Sequence, residues 1–106
     1  MIRVYATRNG EKCRLWVEGH AAAGQERDAV CAGVSSLVQS LVLYAQNSPH
    51  AGRLRCATAP GQAFFSCIGV AEGFALVLHG LCVIAKAFPQ HVQIEFLSVD
   101  DKSAQT

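Results

Sequence analysis

The stretch that decides the fold is Ile2-Arg3-Val4-Tyr5-Ala6-Thr7-Arg8-Asn9-Gly10-Glu11-Lys12-Cys13-Arg14-Leu15-Trp16-Val17-Glu18. Ile2, Val4 and Ala6 alternate with Arg3, Tyr5 and Thr7, the two-residue period of a strand with one buried face. Asn9-Gly10 supplies the left-handed backbone that a tight hairpin demands. Cys13, Leu15 and Val17 then alternate with Arg14, Trp16 and Glu18. Two antiparallel strands are therefore expected, the second ending at Gly19-His20.

Working outward, residues 21–27 (Ala-Ala-Ala-Gly-Gln-Glu-Arg) show no strand period and contain Gly24, so they read as a mobile loop. Asp28 is the expected N-cap of a first helix. That helix spans about Ala29–Gln46, with Val30, Val34, Leu37, Val38, Leu41 and Ala45 at helical spacing. Asn47-Ser48-Pro49 stops it. Residues 53–58 and 62–68 form a second hairpin turning at Pro60-Gly61. A second helix over 71–87 is apolar on nearly every side, which calls for cover from the sheet, the first helix or a second subunit. Residues 92–97 alternate as a last strand. The order β-β-α-β-β-α-β describes an α+β domain over residues 1–99, with two helices packed on a mostly antiparallel sheet. Residues 100–106 read as a polar, disordered tail.

Composition narrows the function classes. Of 106 residues, 51% are hydrophobic and 16% charged, enough for a core and suggestive of an intersubunit contact. The net charge of +1 and the scattered basic residues give no support to nucleic acid as a partner. Arg53 and Arg55 fit a solvated strand face. The longest apolar stretch, about Phe74–Ala85, is broken by His79 and Gly80, so no membrane span is expected. With no signal-like start the expected location is the cytoplasm. The five cysteines, 13, 31, 56, 67 and 82, are an odd number and read as reduced thiols. No CxxC or CxxH spacing points to zinc, and no cofactor or metal is expected. Cys56 and Cys67 at best face each other across the second hairpin. His79 reads as a core or interface histidine, His50 and His91 as exposed ones.

The segment with chemical content runs from Gly19-His20-Ala21 to Asp28-Ala29-Val30-Cys31-Ala32-Gly33-Val34-Ser35. A thiol attacks as its thiolate, which positive potential favours. With Asp28 as N-cap, Cys31 is the third helical residue, beside unpaired N–H groups and the positive helix end. His20, at the mouth of the loop feeding that helix, is a general base within reach of such a cysteine. First-turn N–H groups would hold an oxyanion. Each residue has a plainer reading: Cys31 a packing cysteine, His20 an exposed strand-end histidine, Asp28 a cap alone, Gly24 an ordinary loop glycine rather than a hinge, Ser35 a helical serine bonded to its own backbone.

Those two pieces in that order, Gly19-His20-Ala21 and Asp28-x-Val30-Cys31-Ala32-x-x-Ser35, resemble the Prp family of ribosomal-processing cysteine proteases. The resemblance extends over length, element order and the apolar second helix before Pro89. It implies a catalytic His20–Cys31 dyad supported by Asp28 and Ser35, and a homodimer. It also implies removal of a short N-terminal extension from large-subunit ribosomal protein twenty-seven, cut after an apolar, aromatic-containing segment. Gly19, Ala21, Val30 and Val34 would then contact that peptide, the two valines within an apolar groove, and Gly24 would hinge the loop. The chain departs from the family at Glu26, where members often carry glycine, and in a slightly short 20–31 loop. The rival readings are a non-enzymatic, ribosome-associated dimeric binding protein and, less supported by spacing, a metal or redox protein.

Overall fold

The computed structural model describes residues 1–97; the polar tail expected over 100–106 lies outside them. The elements are β1 (Ile2–Asn9), β2 (Lys12–Glu18), α1 (Arg27–Asn47), β3 (Gly52–Ala59), β4 (Gln62–Ile68), α2 (Ala71–Ala87) and β5 (Val92–Phe96). This is the α+β order the sequence pattern predicts. The five strands form one sheet in the order β3-β4-β2-β1-β5. All neighbours are antiparallel except β1 and β5, which are parallel.

The alternation in β1 and β2 decides which face is covered. Ile2, Val4, Ala6, Cys13 and Leu15 are buried, together with Phe65 and Cys67 of β4 and Val92 of β5. They meet Val30, Val34, Val38, Leu41 and Ala45 of α1 and Phe74, Val77 and Leu81 of α2. The opposite face carries Arg3, Tyr5, Arg14, Trp16 and Phe64. Trp16 and Phe64 are register partners there, with ring centroids 5.2 Å apart. The two helices approach closely: a side chain added at Gly80 would meet Leu37, and one at Gly73 would meet the Tyr44 ring.

Several expectations change. The helix starts at Arg27, so Asp28 is its second residue rather than its cap. Glu26 holds the cap position without a side-chain cap bond, and its carbonyl accepts the Val30 N–H at 2.9 Å. Its carboxylate is engaged elsewhere. The longest apolar helix is α1, which by length and composition alone matches a membrane span. One of its faces packs in the core, and another carries exposed Ser35, Ser36, Gln39 and Ser40. The outer face of α2 is open, with Leu76 74% and Val83 67% exposed. His79 is exposed, with Nδ1 2.7 Å from the Ala75 carbonyl oxygen. His91 is buried, 3% exposed, with its ring beside that of Phe88 at the start of β5. Cys67 faces Cys13 on β2, while Cys56 pairs with Phe65.

Burial along one helix sets a stability contrast. Leu41 is fully buried and Leu43 is 60% exposed. Leu41→Ala should cost about 2–5 kcal/mol in urea unfolding, and Leu43→Ala less than about 0.5 kcal/mol.

Candidate active site

Gly19, at the end of β2, begins the loop that carries His20. Its N–H donates to the Gly61 carbonyl at 2.8 Å, which brings the β3–β4 turn against the loop. Gly19 has φ +97, and a side chain there would collide with the Met1 carbonyl. The His20 carbonyl accepts from the Met1 amino nitrogen at 2.6 Å. The His20 ring lies over Gly61, where an added Cβ would sit 2.7 Å from Nε2. Gly61 has φ +75, so glycine serves both the turn and the space for the imidazole.

Below this turn is a cleft of about 500 Å³ between α1 and the β3–β4 hairpin. Cys31, Val34, Ser35, Val38 and Gln39 form one wall, and Thr58 to Ala63 form the other. Gly19 and Ile2 close one end. Cys31 is half-buried. Ser35, one helical turn on, accepts a hydrogen bond from Gln39 Nε2 at 3.1 Å. A second groove along α1 and β3, past Ser36, Ser40, Leu43 and Cys56, shares Gln39 and Thr58 with the first. The result is a trough along the open edge of the sheet with Cys31 near one end.

The structure therefore brings Gly19, Cys31, Val34 and Ser35 to one cleft, with His20 beside Gly61 of its wall. Val30 and Ala21, which the resemblance implies as peptide contacts, are instead core residues, 2% and 4% exposed, and do not line the cleft. Asp28 and Gly24 are exposed and also lie outside the lining. Among the described residues, the His20 ring makes no hydrogen bond to Cys31 or Asp28. Cys31 is the fifth helical residue, so its own N–H falls within the i→i−4 ladder. The unpaired N–H groups of the helix start lie about one turn before it. The Thr58–Ala63 wall was not legible as part of a site, because Pro60-Gly61 signals a turn and says nothing about what the turn faces.

The five thiols occupy different environments. Burial pushes Cys13 up to about 11, with Arg8 opposing the rise and Glu11 adding to it. Burial also raises Cys67. Cys56 is exposed, and Cys31 and Cys82 are half-buried. The only one of the five on the cleft wall between His20 and Ser35 is Cys31.

Comparison with known proteins decides among the readings. The sequence profile described as cysteine protease Prp matches residues 1–93. The chain belongs to the Prp family. It is thus a cysteine protease, which displaces the non-enzymatic binding protein and the metal or redox protein as readings. No individually curated protein matches it significantly by sequence. The fold resembles that of the essential ribosomal processing protease Prp from S. aureus in complex with a substrate peptide, at a TM-score of 0.77 and 20% identity over 92% of this chain and 100% of that one. The S. aureus Prp with a covalently linked product peptide gives 0.75 and 21% over the same shares. SMU.848 from Streptococcus mutans gives 0.69 and 22%, covering 92% of this chain and 95% of its own.

In this Prp-family chain the buried thiols should separate from the rest. Iodoacetamide at pH 8 should label Cys31 and Cys56 in the folded protein and spare Cys13 and Cys67 until urea is added, as read by peptide mass mapping. Burial raises the Cys13 thiol from its ordinary 9.0 to about 11. The folded state thus holds that proton more tightly than the unfolded one. This stabilisation is complete below pH 9 and is lost as pH rises through about 11. The urea midpoint should fall across that window, and less steeply in Cys13→Val.

Proposed function

We propose that this protease matures ribosomes, removing an N-terminal extension from large-subunit ribosomal protein twenty-seven with a His20–Cys31 dyad. The observation that carries the reading is Cys31 on the wall of a cleft whose opposite wall, at Gly61, supports the His20 ring. His20 takes the proton of the Cys31 thiol, and the thiolate attacks the scissile carbonyl carbon. The tetrahedral intermediate collapses as the imidazolium gives its proton to the leaving amine, and a thioester forms. Water, activated by the neutral imidazole, hydrolyses the thioester and restores the thiol.

The proposal requires His20 to swing from Gly61 to Cys31. Residues 23–25 are exposed, and Gly24, at φ +145, has open space around it, which suits a loop that moves as substrate enters. Gln39 and Gln62 share the cleft with Cys31, so their amides are the candidate oxyanion donors in place of the helix-start N–H groups. Gln39 already donates to Ser35, leaving the serine hydroxyl free to donate toward the thiolate or the peptide. Asp28, in the first turn, adds negative charge where the helix dipole favours it. The trough beside β3 fits a peptide in extended form: Arg55 to Ala59 are exposed along the sheet's free edge, and Val34 and Val38 offer apolar contact.

The open face of α2 supports a homodimer. Leu76 and Val83, seven residues apart, lie on one side of the helix and are both largely exposed. Free thiols and a ribosomal substrate fit the cytoplasm.

A synthetic peptide spanning the extension, followed by mass spectrometry, tests the chemistry. Cys31→Ala and His20→Ala should each lower kcat by about 10⁴-fold or more. Cleavage by either variant at the wild-type rate would sink the dyad. Sedimentation tests the assembly: the wild type should run as a dimer, and Leu76→Glu with Val83→Glu as a folded monomer.

A further inference from the structure

The loop bearing His20 is tied down at its far end by residues that the proposed chemistry does not use. Glu26 immediately precedes α1, and its carbonyl accepts the first intrahelical bond, from Val30. Its carboxylate turns away from the helix N–H groups. Oε1 instead lies 3.2 Å from His91 Nε2 and 3.4 Å from Gln90 Nε2, across 65 and 64 residues of sequence.

His91 is built in as an anchor. Its side chain is only 4% exposed, against 52% for Glu26. Its N–H donates to the Phe88 carbonyl at 2.9 Å, and its carbonyl accepts the Ile2 N–H at 2.8 Å. Its ring packs near the Phe88 ring, with centroids 6.3 Å apart. Nδ1 is buried without a hydrogen-bond partner, so the bond from Nε2 to Glu26 is the ring's one polar contact. A proton on Nε2 alone satisfies this arrangement: Nε2 donates to the carboxylate, and Nδ1 is left as a bare acceptor.

The position of the pair matters more than its energy. The start of the loop is held by the Gly19–Gly61 and Met1–His20 backbone bonds, and Ala21 is buried in the core. The end of the loop is held by Glu26. Both anchors meet at the N-terminal end of β1, since Met1, just before it, bonds His20 and its first residue, Ile2, bonds His91. Between them only residues 22–25 are left to move. Cys31 stands five residues beyond Glu26, a little over one helical turn.

We propose that Glu26 and His91 are positioning residues: their hydrogen bond clamps the end of the 20–27 loop and the first turn of α1 to the start of β5. Backbone motion of the loop is thereby confined to residues 22–25, and Cys31 keeps its place in the cleft while the His20 side chain swings on its held backbone. The clamp is a property of the loop and helix, but its effect on turnover rests on the peptidase reading above.

Two measurements on the full chain test it: hydrogen–deuterium exchange over residues 21–31, and kcat with KM on the extension peptide. Glu26→Ala and His91→Leu should each speed amide exchange over residues 25–31 by about tenfold. Each should lower kcat about five- to tenfold, with KM changed by less than about twofold, because the nucleophile rather than the groove is displaced. Glu26→Gln keeps an oxygen acceptor for Nε2–H and should stay within about twofold of the wild type in both. His91→Leu fills the buried site without needing a partner, so it loses the clamp while retaining the packing. Unchanged exchange over 25–31 in both Glu26→Ala and His91→Leu would overturn the clamp, whatever the melting temperature does. Failure of Glu26→Gln to restore the wild-type exchange would overturn it too. If the wild type does not cleave the peptide, the peptidase reading falls, and the exchange arm decides the clamp by itself.

Discussion

The site depends on the antiparallel pairing of β2 with β4. It joins two hairpins that are separate in sequence and sets Glu18 opposite Gln62. One residue further, the Gly19 N–H reaches the Gly61 carbonyl, so the turn of the second hairpin is stitched to the end of the first. Any slip of one residue would turn Cys13, Leu15 and Val17 out of the core, so the hydrophobic alternation itself fixes this register. With the register fixed, the imidazole of His20 has Gly61 beneath it and the Thr58–Ala63 segment faces α1. The cleft follows from strand register rather than from any contact made for its own sake.

That dependence explains what could be read in the sequence. Every element was legible, because hairpin signals, turn residues and apolar periods are local. The first helix starts where it does for a reason that is not local. Asp28 has the better capping side chain, yet the helix begins one residue before it, with Glu26 at the cap position and the Glu26 carboxylate held by His91. A partner 65 residues away leaves no trace in a capping pattern. The same pair accounts for His91, which reads as a strand-end residue and is buried. Val30 and Ala21, expected to contact the peptide, adjoin the motif residues in sequence. Their neighbourhood in sequence did not survive the turn of a helix or the burial of a loop start.

Ordinary packing also accounts for why one cysteine of five stands apart. Cys13 and Cys67 face each other across β2 and β4 within the core. Loss of solvation there favours the neutral thiol, so the sheet disarms them. Cys56 lies on the edge strand β3, exposed on the second groove beside α1. A nucleophile needs an intermediate position: enough cover to exclude bulk water and a side left open for a carbonyl. Cys31, alone of the five on the cleft wall, combines half-burial with polar side chains in the same lining.

The helix supplies that position by its period. Val30, Val34 and Val38 form one i, i+4 row directed into the core. Cys31, Ser35 and Gln39 form the next row, rotated by about 100°, and all three line the cleft. A stripe of valines that fixes α1 against the sheet thus leaves the adjacent row with no freedom but to face the β3–β4 wall. Moving Cys31 by one residue in either direction would send it into the core with Val30 or onto the exposed side with Ala32. The geometry that buries the hydrophobic row and the geometry that presents the thiol are therefore one constraint, and a change that loosens the valine packing reaches Cys31 without touching it.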